Sequence, residues 1–186
     1  YMNASLQLQL FAMRSRDEQV RTELVAEGLL FEGYHPRMEA VHRSNAEQLR
    51  IIIQKYGWPG EALVGREAAE AAWLVAQHAI GEPGFMRSCR DLLDEASRTA
   101  QAPRWQFAYL DDRINVFEGK PQCYGTQIDL RPEGPAVHEL ADMADVEVLR
   151  EEIGLPSMAS ALSKAQSDPR PSFEAYSTKQ VEALLW

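Results

Sequence analysis

The sequence predicts a mainly α-helical fold, a compact domain of about six to eight helices with a small β-hairpin or strand element near residues 120–137. Three observations lead to this prediction. Apolar residues recur every three or four positions along most of the chain, glycine and proline separate these stretches, and one segment alternates with a period of two. With 186 residues, 45% of them hydrophobic, the chain can bury a sizeable core. We therefore expect a single helical domain over residues 1–166, then a linker and a short C-terminal docking helix over residues 167–186.

The first half of the chain contains three predicted helices. Residues 1–30 form the first, and Pro36, a residue favoured at the start of a helix, begins the second. The second helix ends at the Gly-Trp-Pro-Gly turn of residues 57–60. The third covers residues 66–80 and stops before a glycine and a proline. Its middle, residues 68–76, is apolar on nearly every side, so we expect this helix to lie in the interior with neighbours around it.

The same signals predict four more helices and the strand element in the second half. The helices cover residues 85–99, 103–117, 145–153 and 157–166, and the strand covers residues 120–130, with a partner near residues 135–137. The Ser-Thr-Lys-Gln segment of residues 177–180 fits a capping box for a last helical turn that ends in Trp186. An aromatic end on such a segment is a candidate for docking, for instance against a second copy of the chain in a homo-oligomer.

Composition and charge exclude several classes of partner. Lys and Arg total 19 against 28 Asp and Glu, so the formal net charge is -9 and the sequence pI is about 5.0. A protein that binds nucleic acid or an anionic membrane surface needs a cationic face, so we expect neither partner. No apolar run reaches the roughly 18 residues that a transmembrane helix needs. The two cysteines lack CxxC spacing, which fits a reducing, cytoplasmic setting.

Phosphate-loop and zinc-protease motifs are absent from the sequence. The glycines of residues 57–65 lack the Gly-Lys-Ser/Thr ending that holds phosphates. His138 and Glu139 lack the second histidine, four residues on, that a zinc-protease helix requires. The four histidines are widely spaced, which argues against a site with several histidine ligands. We therefore expect no organic cofactor and no metal.

Two polar residues lie within the apolar third helix. Gln77 follows Trp73 by one turn, and His78 follows Leu74 by one turn. If this helix is central, both polar side chains enter the core and must find hydrogen-bond partners there. For His78 three roles stay open: a general base, a metal ligand, or an inert hydrogen-bonded histidine of the core.

The fifth predicted helix places a carboxylate among apolar residues. Asp112 shares a stripe with Trp105, Tyr109 and Val116, where a lone charge is costly and must be paired or protonated. The adjacent Arg113 is placed to hold an anion, or simply to extend its stem along apolar surface. The alternative for both residues is an ion pair with neighbouring helices.

The segment of residues 119–127 is rich in uncharged polar groups. Gln122, Tyr124, Thr126 and Gln127 offer several donors and acceptors within six residues. Gly125, inside a strand pattern, indicates a bulge or a close approach of the backbone to a ligand. A polar edge strand that covers the helices is the alternative.

These motifs together resemble an uncharacterised bacterial family, DUF6624. The resemblance rests on the runs at residues 56–59, 63–65, 71–79, 108–113 and 119–127, on the closing segment 145–155, on residues 17–21 and on Asn45. It extends from about Asp17 to Leu155, most of the chain. One position departs from the family pattern, because His42 stands where an acidic residue is expected, three residues before Asn45.

The resemblance implies that a set of polar side chains belongs to a single pocket, and it brings no established activity. The set is Gln19, Arg21, Asn45, Gln77, His78, Asp112, Arg113, Gln122, Tyr124, Thr126 and Gln127. Such a pocket suits a small polar molecule, anionic molecules included, because arginines can hold an anion and amides can orient it.

Three hypotheses for the function follow. In the first, the protein is a cofactor-independent hydrolase or transferase in which His78 accepts a proton, Asp112 orients it, and Arg113 with Gln127 stabilises developing negative charge. The residues that would then bind the substrate are Arg21, Asn45, Gln77, Gln122, Tyr124, Thr126 and Gln127. In the second, the same pocket is a non-catalytic ligand sensor, and in the third the polar cluster is structural and the protein binds another protein. The sequence leaves open whether the protein is an enzyme.

Overall fold

The computed structural model describes residues 2–30, 33–131 and 133–167, and these form helices joined by short connections and one two-stranded antiparallel sheet. The helices are α1 (Ala4–Ala26), α2 (Pro36–Tyr56), α3 (Glu61–Val64), α4 (Arg66–His78), α5 (Pro83–Arg98), α6 (Arg104–Phe117), α7 (Val146–Glu152) and α8 (Met158–Gln166). The strands are β1 (Ile128–Arg131) and β2 (Gly134–Val137). The predicted mainly helical fold with a small hairpin is therefore confirmed.

Helix α4 lies at the centre of the helical packing, as its apolar sequence predicts. It contacts α1, α2, α5 and α6. Ala71, Ala72 and Ala76 are fully buried, and their small side chains let the neighbouring helices approach closely on several sides. A helix that is apolar all round has no other stable place in a protein that folds in water.

The helix ends follow the capping residues. The side chain of Asn3 accepts a hydrogen bond from the Leu6 N–H at the start of α1, and His35 plays the same role for α2, with Pro36 in the first turn. Helix α3 was not predicted, because a four-residue helix between two glycines is too short to show helical periodicity. The predicted linker and docking helix lie, apart from Ser167, outside the described residues.

The predicted strand of residues 120–130 is wrong over most of its length. Strand β1 begins only at Ile128, and it pairs with β2 in the register Ile128 with Val137. Residues 121–127 form a loop with one isolated bridge, from Gln122 to Leu140. Several backbone N–H groups of this loop bind a side chain instead of a neighbouring strand, so the alternation of its residues does not reflect strand pairing.

The buried apolar residues of the described ranges form three clusters. One lies among α4, α5 and α6, one among α1, α2 and α4, and a small one joins the end of α1 to the start of α2. Among the described residues, no helix is both long and apolar enough to cross a membrane.

Candidate functional site

One carboxylate and two imidazoles meet where α1, α2 and the end of α4 come together. Asp17 Oδ2 lies 2.7 Å from His78 Nδ1 and 3.2 Å from His42 Nε2. The three side chains offer ligand atoms that all lie within 4.8 Å of one another. We call these three residues the Asp17 cluster. Within the part of the chain that the structure describes, it is the group of side chains suited to hold a metal ion.

Helical spacing explains why these polar side chains point inward. Asp17 follows Met13 by one turn of α1, and His42 follows Met38 by one turn of α2. Both methionines are buried, so each polar residue continues an apolar stripe. His78 is the last residue of α4, where the central helix reaches the edge of the core.

The cluster is buried at one end and reaches the surface at the other. The exposed fraction of the side chain is 4% for Asp17, 5% for His42 and 23% for His78. His78 is therefore the member of the cluster that a molecule in solvent can reach. This arrangement holds two of the three groups away from bulk water.

Electrostatics fix the charge of the buried members. Burial raises the pKa of the Asp17 carboxyl, but the contacts with His42 and His78 outweigh it and hold that pKa well below its usual range. The pKa of the His42 imidazole is lowered to about 4, chiefly by burial. Asp17 raises this pKa, whereas the positive charges of His78 and Arg113 lower it further. At neutral pH the cluster therefore contains an ionised carboxylate and a neutral His42.

Tyr34 contacts the far side of His42. Its hydroxyl lies 2.7 Å from His42 Nδ1, and the two rings stack with centroids 5.6 Å apart. The His42 and His78 rings are also neighbours, with centroids 5.1 Å apart. These contacts hold the His42 ring so that its other nitrogen, Nε2, faces Asp17.

Three buried polar atoms on α2 and α4 have no hydrogen-bond partner among the described residues. These are His42 Nε2, Asn45 Oδ1 and Gln77 Nε2. His42 Nε2 is near Asp17 Oδ2, but the ring N–H direction does not align with that oxygen as a hydrogen bond requires. The Asn45 amide is half satisfied, since its Nδ2 donates to the Met13 carbonyl at 3.0 Å. Buried polar atoms without partners are uncommon and call for an explanation.

The structure revises the predicted partner of His78. Asp112 is fully buried as expected, but its carboxylate accepts hydrogen bonds from the backbone N–H groups of Cys123, Tyr124 and Thr126 and from the Thr126 hydroxyl, at 2.8 to 3.2 Å. Asp17 is the carboxylate that contacts His78. The alternative, an ion pair with neighbouring helices, does not supply the partners of the Asp112 carboxylate either. Backbone N–H groups and the Thr126 hydroxyl supply them.

The amide side chains predicted to bind a ligand hold the same loop together. The Gln122 side chain donates to the carbonyls of Gln127 and His138 and accepts from the Gln127 N–H. The Gln127 side chain donates to the Thr126 hydroxyl. Arg150 is buried and donates to the carbonyls of residues 124, 125 and 156. The loop therefore connects α6, the hairpin and α7.

Glycine is required at residue 125 by the packing of this loop. Gly125 has a φ of +64°, a left-handed conformation that side chains disfavour. A Cβ atom there would lie 2.5 Å from Met158 Sδ. The close approach that the sequence predicts is therefore made to a side chain of α8 and not to a ligand.

The remaining predicted residues divide between the cluster and the surface. Arg21 follows Asp17 by one turn on α1 and is half-buried, and Arg113 is close enough to act on the pKa of His42. Gln77 is buried next to His78. Gln19 is exposed and donates to Glu23, so it is not part of a buried set.

Asp17, His42 and Tyr34 are members or neighbours of the cluster that were not predicted as site residues. The signal for Asp17 was its place on the apolar stripe of α1, the same reasoning that singled out Asp112 on α6. His42 was noted only as a departure from the family pattern. The wide spacing of the histidines was interpreted as evidence against a shared site, yet the packing of α2 against α4 brings residues 42 and 78 together.

Two surface clefts lie away from these residues. One, of about 330 Å³, is lined by Arg50, Phe85 and Cys89 among others, and a larger one, of about 600 Å³, lies beside α7 and Pro156. Neither cleft is lined by a residue of the predicted set or of the Asp17 cluster.

Comparison with known proteins gives one match. A family model described as a family of unknown function, DUF6624, matches residues 4–166. This confirms the resemblance and extends it at both ends of the predicted span. No curated protein and no solved structure matches the chain.

Proposed function

The chain belongs to the DUF6624 family, and we propose that it binds a small polar molecule, anionic molecules included, at the Asp17 cluster and catalyses its hydrolysis or group transfer. The observation that carries this proposal is the contact between buried Asp17 and partly exposed His78, at 2.7 Å. Carboxylate–imidazole contacts of this kind are typical of sites that move protons, because the carboxylate fixes the orientation of the imidazole.

The position of His78 suits a role in contact with the substrate. Its side chain reaches the surface while its partner Asp17 does not, so a bound molecule meets the imidazole first. With Nδ1 directed at Asp17, the other ring nitrogen, Nε2, is left to accept a proton from water or from a hydroxyl. In hydrolysis, the water oxygen forms the new bond to the substrate and its proton passes to His78. The imidazole then returns that proton to the leaving group as the old bond breaks.

Two arginines supply positive charge for an anionic substrate. Arg21 lies one turn from Asp17 on α1, and Arg113 acts on His42 from α6. A guanidinium binds carboxylates and phosphates through paired hydrogen bonds. Positive charge one helical turn from Asp17 and near His42 favours a negatively charged substrate, despite the acidic balance of the whole chain.

A thermal-shift panel with a matched variant tests this proposal. The panel contains inorganic phosphate, sugar phosphates, nucleotides, amino acids and small carboxylates, and each ligand that binds raises the melting temperature. We expect one class to stabilise the wild-type chain, to lose that effect in His78→Gln, and to be consumed on incubation. The control is His138→Gln, because His138 also contacts a buried aspartate, at 2.9 Å, and is 26% exposed.

The outcomes separate the three hypotheses. Binding without consumption supports the ligand sensor in place of the enzyme. A stabilising ligand that His78→Gln still binds contradicts a site at the Asp17 cluster. The purely structural hypothesis fits the loop of residues 121–127, whose polar groups bind one another. It predicts that no ligand of the panel raises the melting temperature.

A further inference from the structure

We propose that the Asp17 cluster is a binding site for one divalent transition-metal ion, with Asp17 Oδ2, His42 Nε2 and His78 Nδ1 as its protein ligands. The inference deepens the function proposed above and rests on it only for the use that the ion would serve. Three features of the cluster support metal binding itself: a buried nitrogen without a partner, the spacing of the three atoms, and the contact behind His42.

The unpartnered nitrogen of His42 is the first feature. The His42 side chain is 5% exposed, and its Nε2 finds no hydrogen-bond partner among the described residues although Asp17 Oδ2 is 3.2 Å away. In the tautomer with its hydrogen on Nδ1, His42 turns an Nε2 lone pair toward the carboxylate oxygen, and the two repel each other in this buried site unless a cation lies between them. A metal ion bound by both atoms removes this repulsion.

The spacing of the three atoms fits a metal ion after small shifts. Bonds of about 2.0 to 2.2 Å place neighbouring ligand atoms about 2.8 to 3.1 Å apart in octahedral geometry and about 3.3 to 3.6 Å apart in tetrahedral geometry. The observed 3.2 Å between Asp17 and His42 lies between these values, and the 2.7 Å between Asp17 and His78 is slightly shorter than them. The three ligand atoms, the two histidine nitrogens included, lie within 4.8 Å of one another. Since His78 is partly exposed at the end of α4, its ring can make the small shift that this requires without disturbing the core.

The contact behind His42 has the form found around metal-bound histidines. Such histidines usually donate the hydrogen of their second ring nitrogen to a nearby acceptor, which fixes the tautomer and the ring plane. The Tyr34 hydroxyl oxygen lies 2.7 Å from His42 Nδ1 and can accept that hydrogen. With Nδ1 protonated, Nε2 carries the lone pair that faces Asp17.

The ligand set indicates the class of ion. Two imidazole nitrogens and one carboxylate oxygen suit zinc or ferrous iron, whereas magnesium and calcium prefer oxygen ligands alone. Three protein ligands leave coordination positions open for water or a substrate group. The partly exposed side of the cluster, at His78, is where such a molecule can enter. With the ion bound through Nδ1, the neutral His78 imidazole carries its hydrogen on Nε2, so the ion would supply the activation of water in place of His78.

The test is metal binding to the whole 186-residue chain. The protein is first treated with a chelator, then titrated with Zn²⁺ and separately with Co²⁺, by calorimetry and by elemental analysis after desalting. We expect one ion per chain, no displacement by Mg²⁺, and an affinity at least about 100-fold weaker in Asp17→Asn, His42→Gln and His78→Gln. His138→Gln is the matched control, because it removes a histidine from the other His–Asp contact and leaves the cluster intact.

Several results overturn the inference. It fails if the wild-type chain retains no ion after desalting, or if the ligand variants bind it as tightly as His138→Gln does. Because His42 is buried, circular dichroism must show that each variant folds. If His42→Gln does not fold, the metal affinity of His78→Gln tests the inference instead. If no ion binds while small anions still depend on His78, the inference fails and the proposed function stands. If an ion binds while no small molecule does, the metal site stands and the proposed function fails.

Discussion

The carboxylate of Asp112 organises the loop of residues 121–127, and Asp112→Asn should therefore unfold the protein more easily. The substitution keeps the size and shape of the side chain and replaces one oxygen with an NH₂ group. Both oxygens accept backbone N–H groups, Oδ1 from Cys123 and Tyr124 and Oδ2 from Tyr124 and Thr126. In either orientation of the asparagine amide, its NH₂ group faces at least one backbone N–H, and two donors cannot form a hydrogen bond with each other.

The expected loss can be worked from these contacts. A hydrogen bond to a charged group contributes about 1.5 to 3 kcal/mol, and a buried donor left without a partner costs about 1 to 3 kcal/mol. One or two N–H groups lose their acceptor here, and the others bind a neutral oxygen instead of a charged one. We therefore expect the free energy of unfolding to fall by about 3 to 5 kcal/mol. For a chain of this size the melting temperature should fall by roughly 6 to 20 °C.

Urea unfolding followed by circular dichroism measures this change, with Asp111→Asn as the control. Asp111 is the neighbouring carboxylate on α6, and it contacts Asn115 and Arg90 near the surface. Its variant should lose less than about 1 kcal/mol. A loss below about 1 kcal/mol in Asp112→Asn, or equal losses in both variants, would refute the role assigned to Asp112 in holding the loop.

Three further predictions test other parts of the structure. Gly125→Ala should lower the free energy of unfolding in urea by about 1 to 3 kcal/mol, because it combines a left-handed φ with a Cβ that meets Met158; an unchanged midpoint contradicts this. Cys89 should resist iodoacetamide at pH 8 until the protein unfolds, since burial raises the pKa of its thiol to about 12. Mass spectrometry that finds it alkylated in the native protein would count against this. Glu118 has its pKa lowered by the hydrogen bond from Lys120, so its ionised form stabilises the protein above the ordinary value of 4.5, and this contribution disappears as pH falls through the lower pKa. The stability difference between wild type and Glu118→Gln should accordingly shrink on acidification, and a difference that grows has the wrong sign.

The helical fold could be predicted because its signals are local. Apolar spacing, proline at helix starts and glycine at helix ends placed the seven predicted helices, and the alanine-rich sequence of α4 indicated its burial. The strand near residue 120 was misplaced because alternation of side chains does not reveal where backbone N–H groups bind. In this loop they bind Asp112, a residue 11 or more positions away on another element.

The candidate site was predicted only in part. His78 and Gln77 were selected because polar groups on an apolar helix need partners, Arg113 because it adjoins Asp112, and Asn45 from the family resemblance. The structure places all four at or beside the Asp17 cluster. The partner itself was assigned wrongly, since both Asp17 and Asp112 lie on apolar stripes and periodicity cannot say which of them faces His78.

By itself, the sequence determined which residues form helices, which faces of those helices are buried, and which polar side chains must find partners in the interior. These properties depend on intervals of three or four residues within one helix, and the sequence contains them directly. The tertiary structure decided which polar groups meet. Asp17, His42 and His78 are separated by 25 and 36 positions and come together only because α1, α2 and α4 pack against one another. That packing depends on the joint fit of three helix surfaces, which no single stretch of sequence specifies.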